Sequence, residues 1–179
     1  MPTVSVIIHT FNNEDFIAET VESVISQTYN DYEIIVVDDG SEDGTRDALL
    51  PYMQGIRYHY KENGGIASAK NAGISLSNAE FVAFLDHDDL WVPEKLKVQM
   101  EHFNSNSQIG LVYAKYTSFR NDKELRTKPE KGYSGWIFKE LLSKSFIQTS
   151  TVMVKRECLN AVGPYDESFT LGDEYDMFL

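Results

Sequence analysis

Phe81-Val82-Ala83-Phe84-Leu85-Asp86-His87-Asp88-Asp89 is the stretch on which the fold turns. Its apolar half does not alternate with polar residues, as expected for a strand buried on both faces of a parallel sheet. It then breaks into carboxylates around a histidine. Two earlier runs repeat the pattern. Val4-Ser5-Val6-Ile7-Ile8 ends in His9-Thr10-Phe11-Asn12, and Ile34-Ile35-Val36-Val37 ends in Asp38-Asp39-Gly40-Ser41. Helical patterns lie between the runs, so the order strand–helix–strand predicts an α/β domain with right-handed crossovers.

Working outward, Glu14 to Gln27 places Ile17, Val21, Val24 and Ile25 on one helical face, with Asn13 as the expected cap. A helix is expected after Gly44-Thr45, a weaker strand over 56–60 and a small-residue helix over 66–76. Pro93 suits the first turn of a helix that carries Leu96, Met100 and Phe103 on one side. Beyond residue 105 the pattern predicts a long strand over 109–119, a charged loop over 121–131, a short helix over 135–143 and a strand over 149–154. A last helix starts around Tyr175 without finishing, so the expectation is one part of a longer protein. The pattern divides the chain into a first half, 1–105, and a second half, 106–179, that reads differently.

The 179 residues suit one domain, and 42% hydrophobic with 25% charged residues is ordinary for a globular protein. A net charge of −12, from 28 acidic against 16 basic residues, argues against nucleic acid and against docking on an anionic membrane. The lone Cys158 has no internal disulfide partner and fits a reducing compartment. No transmembrane segment or signal peptide is visible. The expected location is cytoplasmic, with membrane association only through parts outside this chain.

Ligands of open α/β sheets bind at the carboxyl ends of the strands, where these polar tails converge. Clustered carboxylates repel unless a cation sits among them, and oxygen ligands suit Mg²⁺ or Mn²⁺, which also bind phosphates. Each feature has a plainer reading. Asp38-Asp39-Gly40 serves equally as a turn, and Asp88 or Asp89 could cap the following helix. His87 is assigned a structural role, and His9 and Cys158 a place in the core. Gly64-Gly65-Ile66-Ala67-Ser68-Ala69-Lys70-Asn71 is a near miss to a phosphate-binding P-loop and is rejected as one, with Lys70 kept as a candidate phosphate or nucleotide contact.

In order along the chain, several blocks resemble family 2 glycosyltransferases, inverting enzymes of GT-A fold. The opening 4–13, Ser23-Val24-Ile25-Ser26-Gln27-Thr28-Tyr29, the loop 38–45, and Asn63-Gly64-Gly65 with 69–73 carry the likeness. Phe84 to Asp89, 162–169 and Asp173-Glu174-Tyr175-Asp176 complete it. The resemblance implies a GT-A (Rossmann-like) single domain with a mostly parallel central sheet flanked by helices. It implies that Thr10, Phe11, Asn12, Asp39, Lys70 and Asp86 bind a nucleotide diphosphate sugar, with Phe11 stacking on the base and Asp39 holding it. Asp88 would bind Mn²⁺ or Mg²⁺ directly.

The family's catalytic base matches Glu174, with Asp173 the neighbouring alternative; a glutamate stands here where the family carries an aspartate. Lys70 replaces the more common arginine and loses its fork geometry. Trp136 and Phe138 suit either an acceptor pocket or core packing. The implied reaction is metal-dependent transfer of a sugar, UDP-linked by expectation, to a glycan or lipid-linked acceptor in polysaccharide or glycoconjugate synthesis. A non-catalytic nucleotide-sugar-binding module and a nucleotidyltransferase are the alternatives.

Overall fold

In a computed structural model describing residues 1–120, 123–125 and 132–179, six strands form one sheet in the order β3-β2-β1-β4-β8-β5. These are β1 (Val4–Thr10), β2 (Tyr32–Asp38), β3 (Arg57–Tyr60), β4 (Phe81–Asp86), β5 (Leu111–Tyr113) and β8 (Val152–Lys155). The first four pair in parallel, and β8 lies antiparallel between β4 and β5. This is the α/β sheet that the apolar runs predict.

The period of two along each strand divides the core. Val4, Val6 and Ile8 of β1 share one face with Ile34, Val36, Ala83 and Leu85, against α1 (Ile17–Ile25) and α4 (Lys95–Ser105). Ile7, Val82 and Phe84 point the other way, towards Leu141, Phe146 and Tyr165. There α3 (Ile66–Leu76) packs so closely that a Cβ on Gly73 would lie 2.4 Å from Ile7 Cγ2. That is well inside van der Waals contact, so only glycine fits without movement.

Several expected boundaries move. α1 begins after Phe16, and Asn13 contributes its carbonyl to the Phe16 and Ile17 N–H groups rather than a side-chain cap. Ile25 is exposed; Ile17, Thr20, Val21 and Val24 form the buried face. The strand expected over 109–119 shortens to β5, because its neighbour β8 pairs only with Leu111, Val112 and Tyr113. Phe119–Arg120 (β6) instead pairs antiparallel with Lys123–Glu124 (β7), where a loop was expected; 121–122 and 126–131 of that loop lie outside the described residues. The strand expected over 149–154 opens as a 3-10 turn, Thr149–Thr151, before β8.

The remaining helices are α2 (Thr45–Leu49), α5 (Phe138–Ser143), α6 (Arg156–Val162) and α7 (Asp173–Phe178). Pro93 precedes α4 rather than opening it. Among the described residues no helix is long and apolar enough to cross a membrane.

Candidate active site

The parallel register carries the chemistry to one edge. His9 lies opposite Asp86 across β1 and β4, and Thr10 opposite Asp38 across β1 and β2. Past these strand ends opens a cleft of about 510 Å³. Thr10, Phe11, Asp39, Lys70, Asp86, Asp88, Asp173 and Glu174 all line it, although they come from opposite ends of the chain. Asn12 does not. It is the one non-glycine residue with positive φ, 47°, among those described, and its Oδ1 accepts the Glu42 N–H at 2.8 Å. Its backbone N–H donates to Ser41 Oγ, so Asn12 fastens the β1 tail to the β2 loop.

That loop has its own logic. Asp38 Oδ1 accepts the Ser41 N–H, and Gly40 adopts φ 88° against the backbone of Asn63. Asp38 therefore makes the turn that was one reading of the cluster. Asp39 does something else. Its carboxylate accepts Lys61 Nζ at 2.6 Å, the Gly64 N–H at 3.0 Å and the Gly65 N–H at 2.7 Å. The Asn63-Gly64-Gly65 block is thus folded around Asp39, at the cleft wall that leads into α3.

On the far side, Lys70 Nζ and Asp173 Oδ2 form a buried ion pair at 2.8 Å, with the ammonium 5.1 Å from the Tyr165 ring centroid. Asn71 strengthens the join: its Oδ1 accepts the Tyr165 N–H at 2.8 Å, and its Nδ2 donates to the Tyr165 carbonyl at 2.9 Å. Glu174, next to Asp173, is half-buried in the cleft, and its side chain makes no hydrogen bond or ion pair among the described residues.

Asp86, His87, Asp88 and Asp89 form a turn closed by the Asp89 N–H on the Asp86 carbonyl. Thr20 of α1 clamps it by donating towards the His87 and Asp89 carbonyls. Burial pushes the Asp86 carboxyl up to about 6; the Lys70 charge opposes that shift, while Asp89, Asp88 and Glu174 add to it. The cleft is short of positive charge here. Asp88 is exposed, and no group of three or more His, Cys, Asp or Glu side chains among the described residues could enclose a metal ion. One or two carboxylates facing open space suit Mg²⁺ or Mn²⁺, which commonly complete their shells with water and substrate phosphate.

His9 and His87 also line the cleft, beyond the core and structural roles expected of them. Burial, with smaller contributions from the Lys70 and His87 charges, drives His9 down to about 3. It is neutral, and at 3.6 Å from Asp86 Oδ1 its Nε2 is too distant for a hydrogen bond. Among the described residues, His9 Nδ1, Thr10 Oγ1 and His87 Nδ1 are buried polar atoms without a partner, and all three residues line this cleft. Buried polar atoms are normally satisfied, so their concentration here marks a place built for a polar ligand. Lys61, Gln148 and Thr149 also serve the site, with no local sequence signal to betray them. Trp136 is fully exposed and Phe138 half-exposed; neither is core, and neither lines the cleft.

The sheet edge, the DxD turn and the facing carboxylates thus meet in one cleft on an α/β sheet. The family model "Glycosyl transferase family 2" matches residues 5–163, and the chain belongs to that family. It is 35% identical to an uncharacterized glycosyltransferase of Rickettsia typhi, over 99% of this chain and 58% of that protein. It is 31% identical to UDP-Glc:alpha-D-GlcNAc-diphosphoundecaprenol beta-1,3-glucosyltransferase WfgD of Escherichia coli, over 98% of this chain and 68% of that protein. The crystal structure of S. aureus TarS 1-349 in complex with UDP superposes with TM-score 0.75 at 24% identity, over 97% of this chain and 53% of that one. Mannosyltransferase PcManGT from Pyrobaculum calidifontis, in complex with GDP-Man and Mn2+, gives 0.71 at 23%, over 98% and 50%. The chain spans 58% of the Rickettsia typhi protein and 53% and 50% of the two solved chains, whose GT-A fold it shares.

Proposed function

We propose that this chain carries the donor site and catalytic base of an inverting glycosyltransferase that moves a sugar from a UDP-sugar to an acceptor hydroxyl. The observation that carries the reading is the single cleft in which Asp39, Asp86, Asp88 and Glu174 meet beside unsatisfied polar atoms of His9, Thr10 and His87. The UDP in the TarS complex and in the E. coli relative's name support uridine as the base.

Phe11, 44% exposed at the cleft, offers its ring to the base, and Asp39, fixed by its donors, offers an oriented acceptor. Thr10 and Asp86 lie towards the ribose and sugar. Asp88 would hold Mn²⁺ or Mg²⁺ with Asp86 alongside; when bound, such an ion neutralises charge on the departing diphosphate. Asn12 acts by shaping the loop.

The ion pair supports Glu174 over Asp173 as the base. Asp173 is buried and its Oδ2 is occupied by Lys70, which leaves it poorly placed to meet a substrate hydroxyl. Glu174 is free, so it takes the proton from the acceptor hydroxyl as the new glycosidic bond forms and the bond to UDP breaks. Lys70 orients the start of α7 through its ion pair with Asp173 and lines the cleft, where it can meet the donor phosphates.

The test is UDP release from UDP-glucose and UDP-N-acetylglucosamine in Mn²⁺. Slow hydrolysis by the parent chain that falls about 100-fold or more in Glu174→Gln, with UDP affinity kept, is the expected result. Hydrolysis unaffected by that change would remove Glu174 from the chemistry. Binding without any turnover would favour a non-catalytic module, and pyrophosphate release from UTP would favour a nucleotidyltransferase.

A further inference from the structure

A second, larger cleft of about 1010 Å³ adjoins the first, and Asp88 and Gln148 line both. The donor reading does not use it. Its walls come from α1, the turn after β4, the start of α4 and residues 114–119 beyond β5. The notable group in it is Lys95, buried to 8% exposure, with Nζ 3.8 Å from the Trp91 ring centroid and 2.8 Å from Gln99 Oε1. Among the described residues no carboxylate pairs with it, although Glu19, Asp88 and Asp89 line the same cleft. An ammonium removed from water and left without an anion is costly, and an aromatic face with one amide oxygen offsets only part of that. Burial is the sole cause depressing its pKa, to about 7, in keeping with a missing counter-charge.

Around the same cleft, Phe16, Leu90, Val92 and Phe119 are exposed apolar side chains. A soluble surface rarely gathers such groups around a buried cation without a use for both.

We propose that this second cleft is the acceptor subsite, in which Lys95 holds a phosphate of an amphiphilic, lipid-linked acceptor whose chain lies along Phe16, Leu90, Val92 and Phe119. The inference rests on the transferase reading and names its acceptor class. Because Asp88 and Gln148 line both clefts, an acceptor sugar reaching past them would meet the donor from the side of the second cleft.

The probe is farnesyl diphosphate, which carries a diphosphate and an apolar chain but no sugar. It is titrated below its micelle concentration into the full chain carrying Trp136→Phe, so that Trp91, in contact with Lys95, is the sole tryptophan reporter. EDTA is present to disable metal-dependent binding in the donor cleft. The expected result is a saturable change in Trp91 fluorescence. The affinity should weaken about tenfold or more in Lys95→Met and stay within about threefold in Lys95→Arg. Farnesol and pyrophosphate, each lacking one half of the probe, should bind at least about tenfold more weakly.

Equal binding by Lys95→Met, or no saturable binding, overturns the proposal; so does displacement of the probe by UDP. Preference for pyrophosphate would indicate a free phosphate site and also overturn it. Thermal melting of both variants confirms that they fold. UDP binding by the parent in Mn²⁺ is measured alongside, and its failure would strike the donor reading instead.

Discussion

At the residue scale, two aspartates that look alike in sequence do different work. Asp88 is exposed and has no ion-pair partner among the described residues, so Asp88→Ala should leave the melting temperature within about 2 °C of the parent while abolishing metal-dependent UDP binding. Asp173 is the opposite case. Asp173→Asn strands the Lys70 ammonium in a buried position, which typically costs about 3–5 kcal/mol. Denaturant unfolding should report that loss, and Lys70→Met combined with Asp173→Leu should recover much of it. If Asp173→Asn were neutral to stability while hydrolysis collapsed, the roles of Asp173 and Glu174 would have to be exchanged.

Lys95 supplies the pH dependence. Its folded pKa of about 7 lies below the ordinary lysine value of 10.5. Between those values the unfolded chain binds the extra proton, so this residue makes stability rise with pH across that window. Lys95→Met removes the penalty. The variant should exceed the parent in stability most at pH 6, and the gap should narrow towards pH 10; melting curves at the two pH values check it. A gap that widened with pH would mean that the ammonium is satisfied in the fold.

At the scale of elements, the joins between α3 and the C-terminal segment are the vulnerable part. Asn71 makes reciprocal hydrogen bonds with the Tyr165 backbone and a further one to Glu167. Asn71→Ala should destabilise by about 1–3 kcal/mol and lower hydrolysis more than UDP affinity, because α7 carries Glu174, the proposed base. Hydrogen exchange on α7 and parallel kinetics measure both effects. Gly73→Ala should also destabilise, by about 1–3 kcal/mol, since the new methyl meets Ile7 on β1.

Strands β1, β2 and β4 were legible because burial on both faces leaves unbroken apolar runs. The extent of β5 was not. A strand ends where its partner does, and β8, which limits it, lies some forty residues further on. The site divides in the same way. Polar tails at strand ends announced Asp39, Asp86 and Asp88, whereas the Lys70–Asp173 pair spans a separation of 103 residues with no local trace. His9 was hidden for another reason: a buried histidine reads as core until the neighbouring strand places Asp86 beside it.

At the scale of the molecule, four parallel strands deliver their carboxyl ends to one edge, and the antiparallel β8 returns the chain so that α7 closes the cleft opposite them. The arrangement leaves the cleft acidic, with the Asp86 carboxyl held near 6 by burial and neighbouring carboxylates. A nucleoside diphosphate, itself an anion, should therefore bind well only with a divalent cation between it and Asp88. Calorimetric titration of the chain with UDP, in Mn²⁺ and in EDTA, tests that claim most directly. Saturable binding near one UDP per chain in Mn²⁺, weakened at least about tenfold both by EDTA and by Asp88→Ala, is the predicted result. UDP binding of equal strength with and without the metal, or no UDP binding in Mn²⁺, would contradict it.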